Sequence, residues 1–418
     1  MTEKLSTQPY KGVRDFYPAE MAIQQYIFST WAHTAESFGF ARYDASVLEP
    51  AELYRAKGAE NEEMVNQQTY TFTDRGEREV TLRPEMTPTV ARMIAAKSKE
   101  LAWPVRWYSI PNLYRYERAQ RGRLREHWQL NCDIFGIDDM ATDVEIIALA
   151  YQIFMNFGAT DDMFTIHIND RQLMHRLYVA LNLNEEQILS LTRLNDRRDK
   201  MTAEAYRLEL DGITGDGTVS EEVIMLLDKS DAQTDVVVGL AELGITNVVF
   251  DKSLARGFDY YTGTIFEFKD TDPDNNRSLL GGGRYDNLTA LFGGEAVPGV
   301  GFGFGDVTMR DFLETHDLLP EPIISPTVVV APTEPVHNLS AQKIAQALRS
   351  SGVSVAVDSS ARKIGKKLSL AGENLSTYVV ALGEDEIASR RYTLKNLVDG
   401  TETTDTLENL IDYLTDKY

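Results

Sequence analysis

VRWYSIPNLYRYERAQRGRLREHWQLNCDIF, residues Val105–Phe135, is the stretch on which the fold turns. Val105–Ile110, Leu113–Glu117 and Glu126–Phe135 are aromatic-rich and alternate apolar with polar residues, the period-two pattern of half-buried strands. The polar, glycine-containing segment Arg118–Arg125 lies between the last two, so the spacing predicts an antiparallel sheet with a basic loop. Arg115 and Glu117, two apart, share one face of a strand, while Arg118, Arg121, Arg123 and Arg125 crowd the loop. Cations this dense usually meet an anion. A polyphosphate suits them, with Glu117 left to accept from an amine. A salt-bridged sheet edge is the alternative, in a chain as acidic as this one.

Outward from this sheet, Glu20–Phe38 places Ile23, Ile27, Trp31, Ala35 and Phe38 at helical spacing and stops at Gly39, a C-cap. Thr69–Phe72 and Glu79–Leu82 alternate around Asp74-Arg75-Gly76 and predict a hairpin. Asp143–Phe157 is a second amphipathic helix. From Asn169 to about Ala241 the pattern turns helical, polar and charged without a catalytic constellation, which predicts an inserted helical module. Strand character returns at Val248–Phe250 and Tyr260–Phe268. After the linker Glu321–Pro326, strands Thr327–Ala331, Val353–Val357 and Tyr378–Leu382 alternate with helices Val336–Ser350 and Arg362–Gly372, a βαβαβ pattern that predicts a small, mostly parallel sheet with its own core. The expected organisation is an α+β domain on an antiparallel sheet over 1–323, interrupted by the insertion at about 169–241, then a small α/β domain over 324–418.

At 418 residues the chain exceeds the size at which one core keeps growing. No apolar run approaches the ~20 residues of a membrane helix, and MTEKLSTQPYKGVRD lacks the apolar segment of a signal peptide, so a soluble, cytoplasmic protein is expected. The single Cys132 excludes an internal disulfide framework and a cysteine-built zinc site, and six His without helical ligand spacing argue against a protein-held metal. Net charge is −22, from 42 basic and 64 acidic residues, which excludes nonspecific coating of nucleic acid. Residues 324–418 carry 10 basic and 12 acidic residues, net −2, leaving 32 against 52, net −20, for residues 1–323. A nucleic-acid partner therefore needs local basic patches, and Arg121–Arg125, Arg197–Lys200 and Arg362–Lys367 supply three.

Three further clusters carry chemistry. ARGFDYYTG, Ala255–Gly263, sets Arg256, Asp259, Tyr260 and Tyr261 beside glycines, which suits a pocket for a small polar ligand that is anionic at one end. TLRPEMT, Thr81–Thr87, presents Glu85 and Thr87, a carboxylate and a hydroxyl fit for an ammonium group. LGGGRYD, Leu280–Asp286, and VGFGFG, Val300–Gly305, are glycine-rich without the strand, helix and downstream acid of a dinucleotide fingerprint. Gly303 and Gly305 fit backbone on which a flat base lies, and tight packing at a sheet crossing is the alternative.

Together these clusters resemble one family. Arg115 with Glu117 looks like motif 2 of class II aminoacyl-tRNA synthetases, and ARGFDYYTGTIFE with LGGGRYD is similar to the histidyl-tRNA synthetase signature. KGVRDFYP at Lys11–Pro18 and TLRPEMT fit the same family, and the C-terminal segment, with AQALRSSGVSVAVD and VVALGEDE, looks like its anticodon-binding domain. The resemblance implies activation of histidine by ATP with Mg2+, transfer of histidyl to tRNA(His), a homodimer and no membrane. By position it implies that Glu85, Thr87 and Gln129 hold the α-ammonium of histidine, and that Asp133, Tyr260 and Tyr261 face its imidazole. Arg115 would grip the α-phosphate and the reacting carboxylate, Glu117 the adenine amine, Arg123 the outer phosphates, and Arg256 the transferring phosphoryl charge. Magnesium would be held largely by ATP itself. The basic run gives Arg362, Lys363, Lys366 and Lys367 as anticodon-contact candidates.

Two positions depart from the family pattern. Ser46 stands ahead of Val47-Leu48-Glu49 where motif 1 usually has proline, and Thr308 stands where motif 3 usually ends in an Arg that clamps the γ-phosphate. Arg310, two residues on, points about 200° away on a helix, leaving the outer phosphates to Arg123, Arg125 and magnesium. The missing Arg favours one rival, a non-catalytic regulatory paralogue serving ATP phosphoribosyltransferase. The full ARGFDYYTG string and the C-terminal domain oppose it.

Overall fold

The computed structural model describes residues 5–55, 68–118, 122–198, 201–228, 234–255, 260–275, 278–322 and 324–417. The chain divides into two compact units, Met1–Phe16 with Ile23–Pro320 and Tyr17–Ala22 with Glu321–Tyr418. No helix among the described residues is long and apolar enough to cross a membrane.

The first unit is α+β, built on a sheet whose order is Ala41–Arg42, Val105–Ser109, Glu126–Phe135, Gly299–Gly305, Ser278–Arg284, Thr264–Asp270, Phe164–Asp170 and Val248–Phe250. The two outermost pairings are parallel and those between them antiparallel. Asn112–Tyr114 pairs with the start of Glu126–Phe135, so the long strand carries partners on either side of the basic loop. Alternation sorts its residues. Leu130, Cys132 and Ile134 enter the main core, while His127, Gln129, Asn131 and Asp133 point to the opposite face.

Helices Pro18–Ser37 and Met140–Asn156 cover the apolar face, the second capped by Asp139, whose side chain accepts from the Ala141 amide. The ring of Phe154 sits 4.5 Å from Phe164, 5.5 Å from Phe268 and 5.2 Å from Phe304, joining three strands to one helix. Such aromatic packing adds about 0.5–1.5 kcal/mol per pair beyond area burial. The opposite face is left for polar chemistry.

Among the described residues, five helices occupy the stretch expected as an insertion: Arg171–Ala180, Glu185–Asp196, Ala203–Thr214, Gly217–Asp228 and Asp235–Glu242. The first four share a core of their own around Leu191, Leu194, Leu210 and Val223. The fifth belongs elsewhere. Val236 and Leu240 lie in the main core, and Gly239 packs so closely on Val144 that a Cβ would fall 2.8 Å from that side chain.

The second unit is a five-stranded α/β sheet in the order Val355–Val357, Val328–Pro332, Tyr378–Leu382, Tyr392–Asn396, Glu402–Asp405. The first three strands are parallel, as expected, but a closing antiparallel hairpin and the helix Leu407–Thr415 were not anticipated. The last strand, ETTD, is polar throughout and carries no alternation to read.

Lys367 corrects a reading of the basic run. It is 3% exposed on helix Ile364–Glu373, and its ammonium donates to the carbonyls of Pro332 (2.8 Å) and Asp358 (2.9 Å). It fastens the ends of two strands and is not available to a phosphate. Lys367→Met therefore lowers stability by about 1–3 kcal/mol, because one buried and one half-buried carbonyl lose a charged donor. The exposed Lys366, paired with Glu373 at 3.2 Å, tolerates the same change within about 0.5 kcal/mol. Urea midpoints read both, and equal midpoints would contradict the buried role.

Candidate active site

The polar face of the central sheet holds two adjoining cavities. The inner one is walled by Glu85, Thr87, Arg115, Gln129, Asn131, Asp133, Tyr260, Tyr261 and Tyr285 over a floor of Gly281, Gly301, Phe302 and Gly303. The outer, of about 370 Å³, includes Glu117, Arg123, His127, Glu267, Ser278, Gly305 and Thr308. Arg115, Gln129, Gly281 and Gly303 line both, so Arg115 stands at the junction.

Local sequence explains the placement. Pro84 closes off the strand Glu79–Leu82, and three residues later the helix Thr87–Lys97 begins. Glu85 is thus presented beside a helix N-terminus, which favours a carboxylate. Arg115 donates from Nε to the Pro84 carbonyl at 2.8 Å, which fixes the plane of its guanidinium. The glycines of these two strands face one another, Gly281 opposite Gly303 and Gly283 opposite Gly301. They are small because neighbours lean over them: a Cβ at Gly303 would lie 2.8 Å from the Gln129 amide, and one at Gly283 would lie 2.8 Å from the Tyr261 ring.

LGGGRYD divides its labour. Arg284 is buried and donates to Asp143 (2.6 Å), Asp286 accepts from the Thr262 hydroxyl (2.7 Å), and between them Tyr285 is delivered to the pocket, where its hydroxyl donates to Asp133. Burial pushes the Asp133 carboxyl up to about 7, against the lowering effect of the Tyr285 bond. Burial also raises the Tyr260 phenol well above its ordinary range. In the outer cavity, burial and then the nearby Arg115 and Arg14 guanidinium groups hold His127 down at about 3, so its imidazole is neutral near pH 7.

All six residues expected around histidine, Glu85, Thr87, Gln129, Asp133, Tyr260 and Tyr261, line the inner cavity together with Arg115. Glu117, Arg123, Gly303 and Gly305 line the outer one with Arg115, and Glu117 and Arg123 pair with each other at 3.2 Å. Arg256, with Asp259 and Arg121, lies outside the described residues. Arg125 does not reach the cleft. Its guanidinium donates to the Tyr10 hydroxyl (3.0 Å) and lies 4.0 Å from the Tyr116 ring centroid, so it staples the N-terminal segment instead. Gly12, at φ +88°, is required there, since a Cβ would meet the Arg125 side chain at 2.9 Å. Arg14, from the same KGVRDFYP stretch, pairs with fully buried Asp306 at 2.6 Å.

Thr308 lines the outer cavity and donates to the Leu279 carbonyl at 2.8 Å, while Arg310 is turned onto Glu314 at 2.7 Å and does not line it. Sequence reasoning passed over Asn131, Tyr285, His127 and Glu267. Asn131 and His127 had a signal in their parity with Gln129 and Asp133. Tyr285 had only its position after the glycine run.

The sequence model described as histidyl-tRNA synthetase matches residues 12–305, and the one described as anticodon binding domain matches residues 327–417. The chain belongs to the histidyl-tRNA synthetase family. A histidine–tRNA ligase from Leptospira biflexa is 40% identical over 96% of both chains, and one from Thermoplasma volcanium is 36% identical over 97% of both. Among solved structures, the histidyl-tRNA synthetase of a Nostoc species aligns with a TM-score of 0.83 at 24% identity, covering 99% of this chain and 100% of that one. The Staphylococcus aureus synthetase aligns with a TM-score of 0.76 at 21% identity, covering 98% and 100%. Family membership accounts for the antiparallel class II sheet and the separate α/β unit.

Proposed function

We propose that the chain is a histidine–tRNA ligase that adenylates histidine with ATP, releasing pyrophosphate, and then transfers histidyl to the 3′ end of tRNA(His). The observation that carries this reading is one arginine, Arg115, shared by two cavities of different chemistry. The inner end offers a carboxylate and hydroxyl for an ammonium and an Asp–Tyr pair for an imidazole. The outer end offers Arg123, Glu117 and bare glycine backbone for a nucleotide. Relatives that align over nearly their whole length are named histidine–tRNA ligases, which favours the enzyme over the regulatory alternative.

Residues 1–323 act as the catalytic domain and 324–418 as the anticodon-binding domain. The protein acts in the cytoplasm as a homodimer. ATP arrives with Mg2+, whose charge offsets that of the phosphates. Glu267 is a carboxylate of the outer cavity able to hold it or its waters, which suits a hard cation, while Glu117 faces the adenine amine. No protein nucleophile takes part, and catalysis is positioning plus fixed positive charge. Arg115 meets the reacting carboxylate and α-phosphate, with Arg256 on the same phosphoryl group.

Asp133 accepts from the imidazole N–H in its ionised form, so kcat/KM for histidine falls as pH drops through about 7. Tyr285→Phe removes a donor that favours the carboxylate, so the Asp133 titration moves up. The substrate's own titration is common to both enzymes, and the pH profiles therefore isolate this shift. An unchanged or lowered inflection would refute the assignment.

The full reaction is tested by charging tRNA(His) with labelled histidine. Reversing the exposed Arg362, Lys363 and Lys366 reduces charging by about 10-fold and steepens nothing in pyrophosphate exchange. Charging that survives the triple reversal would remove these residues from tRNA binding, and absence of charging by the unaltered chain would sink the ligase reading.

A further inference from the structure

The helical module leaves the central sheet through Asn169-Asp170-Arg171, and these residues hold both ends of the segment that carries the tyrosine pair. Asn169 is 3% exposed, and its amide donates to the carbonyls of Lys252 (3.2 Å) and Leu254 (2.9 Å) while its oxygen accepts from the Asp170 amide (2.8 Å). Two residues earlier on the same strand face, the His167 imidazole bonds to Asp251 at 3.0 Å. Residues 251–254 are thereby fixed before the tyrosines.

Arg171 fixes the far end. Its backbone N–H donates to the Gly263 carbonyl at 3.1 Å, its Nη1 donates to the Tyr261 carbonyl at 3.3 Å, and its guanidinium carbon lies 5.8 Å from the Tyr261 ring centroid. Asp170 caps the helix Arg171–Ala180 through the Leu173 amide at 2.8 Å, so the helix start and the end of the tyrosine segment share one anchor. Tyr261 has little latitude. It is 7% exposed, and its ring lies over Gly283 with no room for a methyl group. A small shift of its backbone must displace the ring into the pocket.

We propose that Asn169 and Arg171 are positioning residues that set the placement of Tyr261, joining the root of the helical module to the histidine pocket. The proposal rests on the reading of Tyr261 as an imidazole contact. Misplacement of a binding group by about 1 Å costs up to 10²-fold, and the loss should appear in histidine recognition alone.

The test compares the full-length chain with Asn169→Ala, Arg171→Met and Arg171→Lys, measuring KM for histidine and for ATP in pyrophosphate exchange, kcat, and thermal midpoint. Asn169→Ala and Arg171→Met raise the histidine KM about 10-fold with the ATP KM within about 2-fold. Arg171→Lys recovers most of the loss, because an ammonium still donates to the Tyr261 carbonyl and stays near the ring. Unchanged KM values with kcat falling in step with folded fraction would mean a structural role only. If the unaltered chain shows no histidine-dependent exchange, the ligase reading fails first, and calorimetric histidine affinity of the same variants then decides the clamp: equal affinities overturn it.

Discussion

Arg115→Ala lowers histidine-dependent ATP–pyrophosphate exchange by at least about 10²-fold, with the thermal midpoint within a few degrees of the parent. The residue is half-buried at the junction of the two cavities, and its Nε is committed to the Pro84 carbonyl. That anchor holds the guanidinium before substrates arrive, so its charge costs little reorganisation when negative charge gathers on the α-phosphate. Arg115→Lys should recover little, since a point charge on a flexible stem offers neither the fixed plane nor the paired donors. Thr308 stands where a phosphate-clamping Arg was expected and Arg310 is turned onto Glu314, so fewer cations share the load. Exchange within about threefold of the parent would remove Arg115 from the chemistry.

Gly301→Ala lowers kcat/KM for histidine by about 10²-fold with the ATP KM little changed. A Cβ there would meet the Asp133 carboxylate directly, with the Cys132 carbonyl at 2.6 Å and the Tyr285 hydroxyl at 2.8 Å. None of the three can retreat cheaply. Asp133 and Cys132 belong to a central strand, and Tyr285 is seated by Arg284 and Asp286 on either side. Overpacking of about 1–3 kcal/mol would fall on the pair that faces the imidazole, which at 1.4 kcal/mol per decade is about 5- to 140-fold. Val300→Ala, one residue before and facing the apolar core, checks that the strand tolerates a change in size. A normal histidine KM in Gly301→Ala would contradict the floor assigned to this glycine.

Much of the site could be read in advance because a strand writes its two faces alternately. From His127 to Ile134 the parity that sends Leu130, Cys132 and Ile134 inward also presents Gln129 and Asp133 to the cleft. Asn131 and His127 follow by the same rule. Tyr285 was harder, since its partner Asp133 is 152 residues away in sequence and only the pairing of Gly299–Gly305 between their strands brings them together.

Lys367 was misread because charge overrode period. Ile364, Lys367, Leu368 and Ala371 form the i, i+3, i+4, i+7 stripe that faces the sheet, and Lys366, one position back, points to solvent. Arg125 likewise belonged to a run of loop cations, but Tyr10 and Tyr116 offered it rings and a hydroxyl. Neither partner is visible from composition. The terminal hairpin Tyr392–Asp405 escaped notice for the opposite reason, since polar residues dominate its outer strand.

Activation of histidine by ATP in one cleft is read out by histidine-dependent ATP–pyrophosphate exchange, measured on the purified full-length chain without tRNA. Exchange requires histidine and is not supported by other amino acids, because buried polar groups awaiting the imidazole reject apolar analogues by a factor of about 10⁴ or more. A folded chain that exchanges no pyrophosphate with histidine, or that does so with a different amino acid, would contradict it.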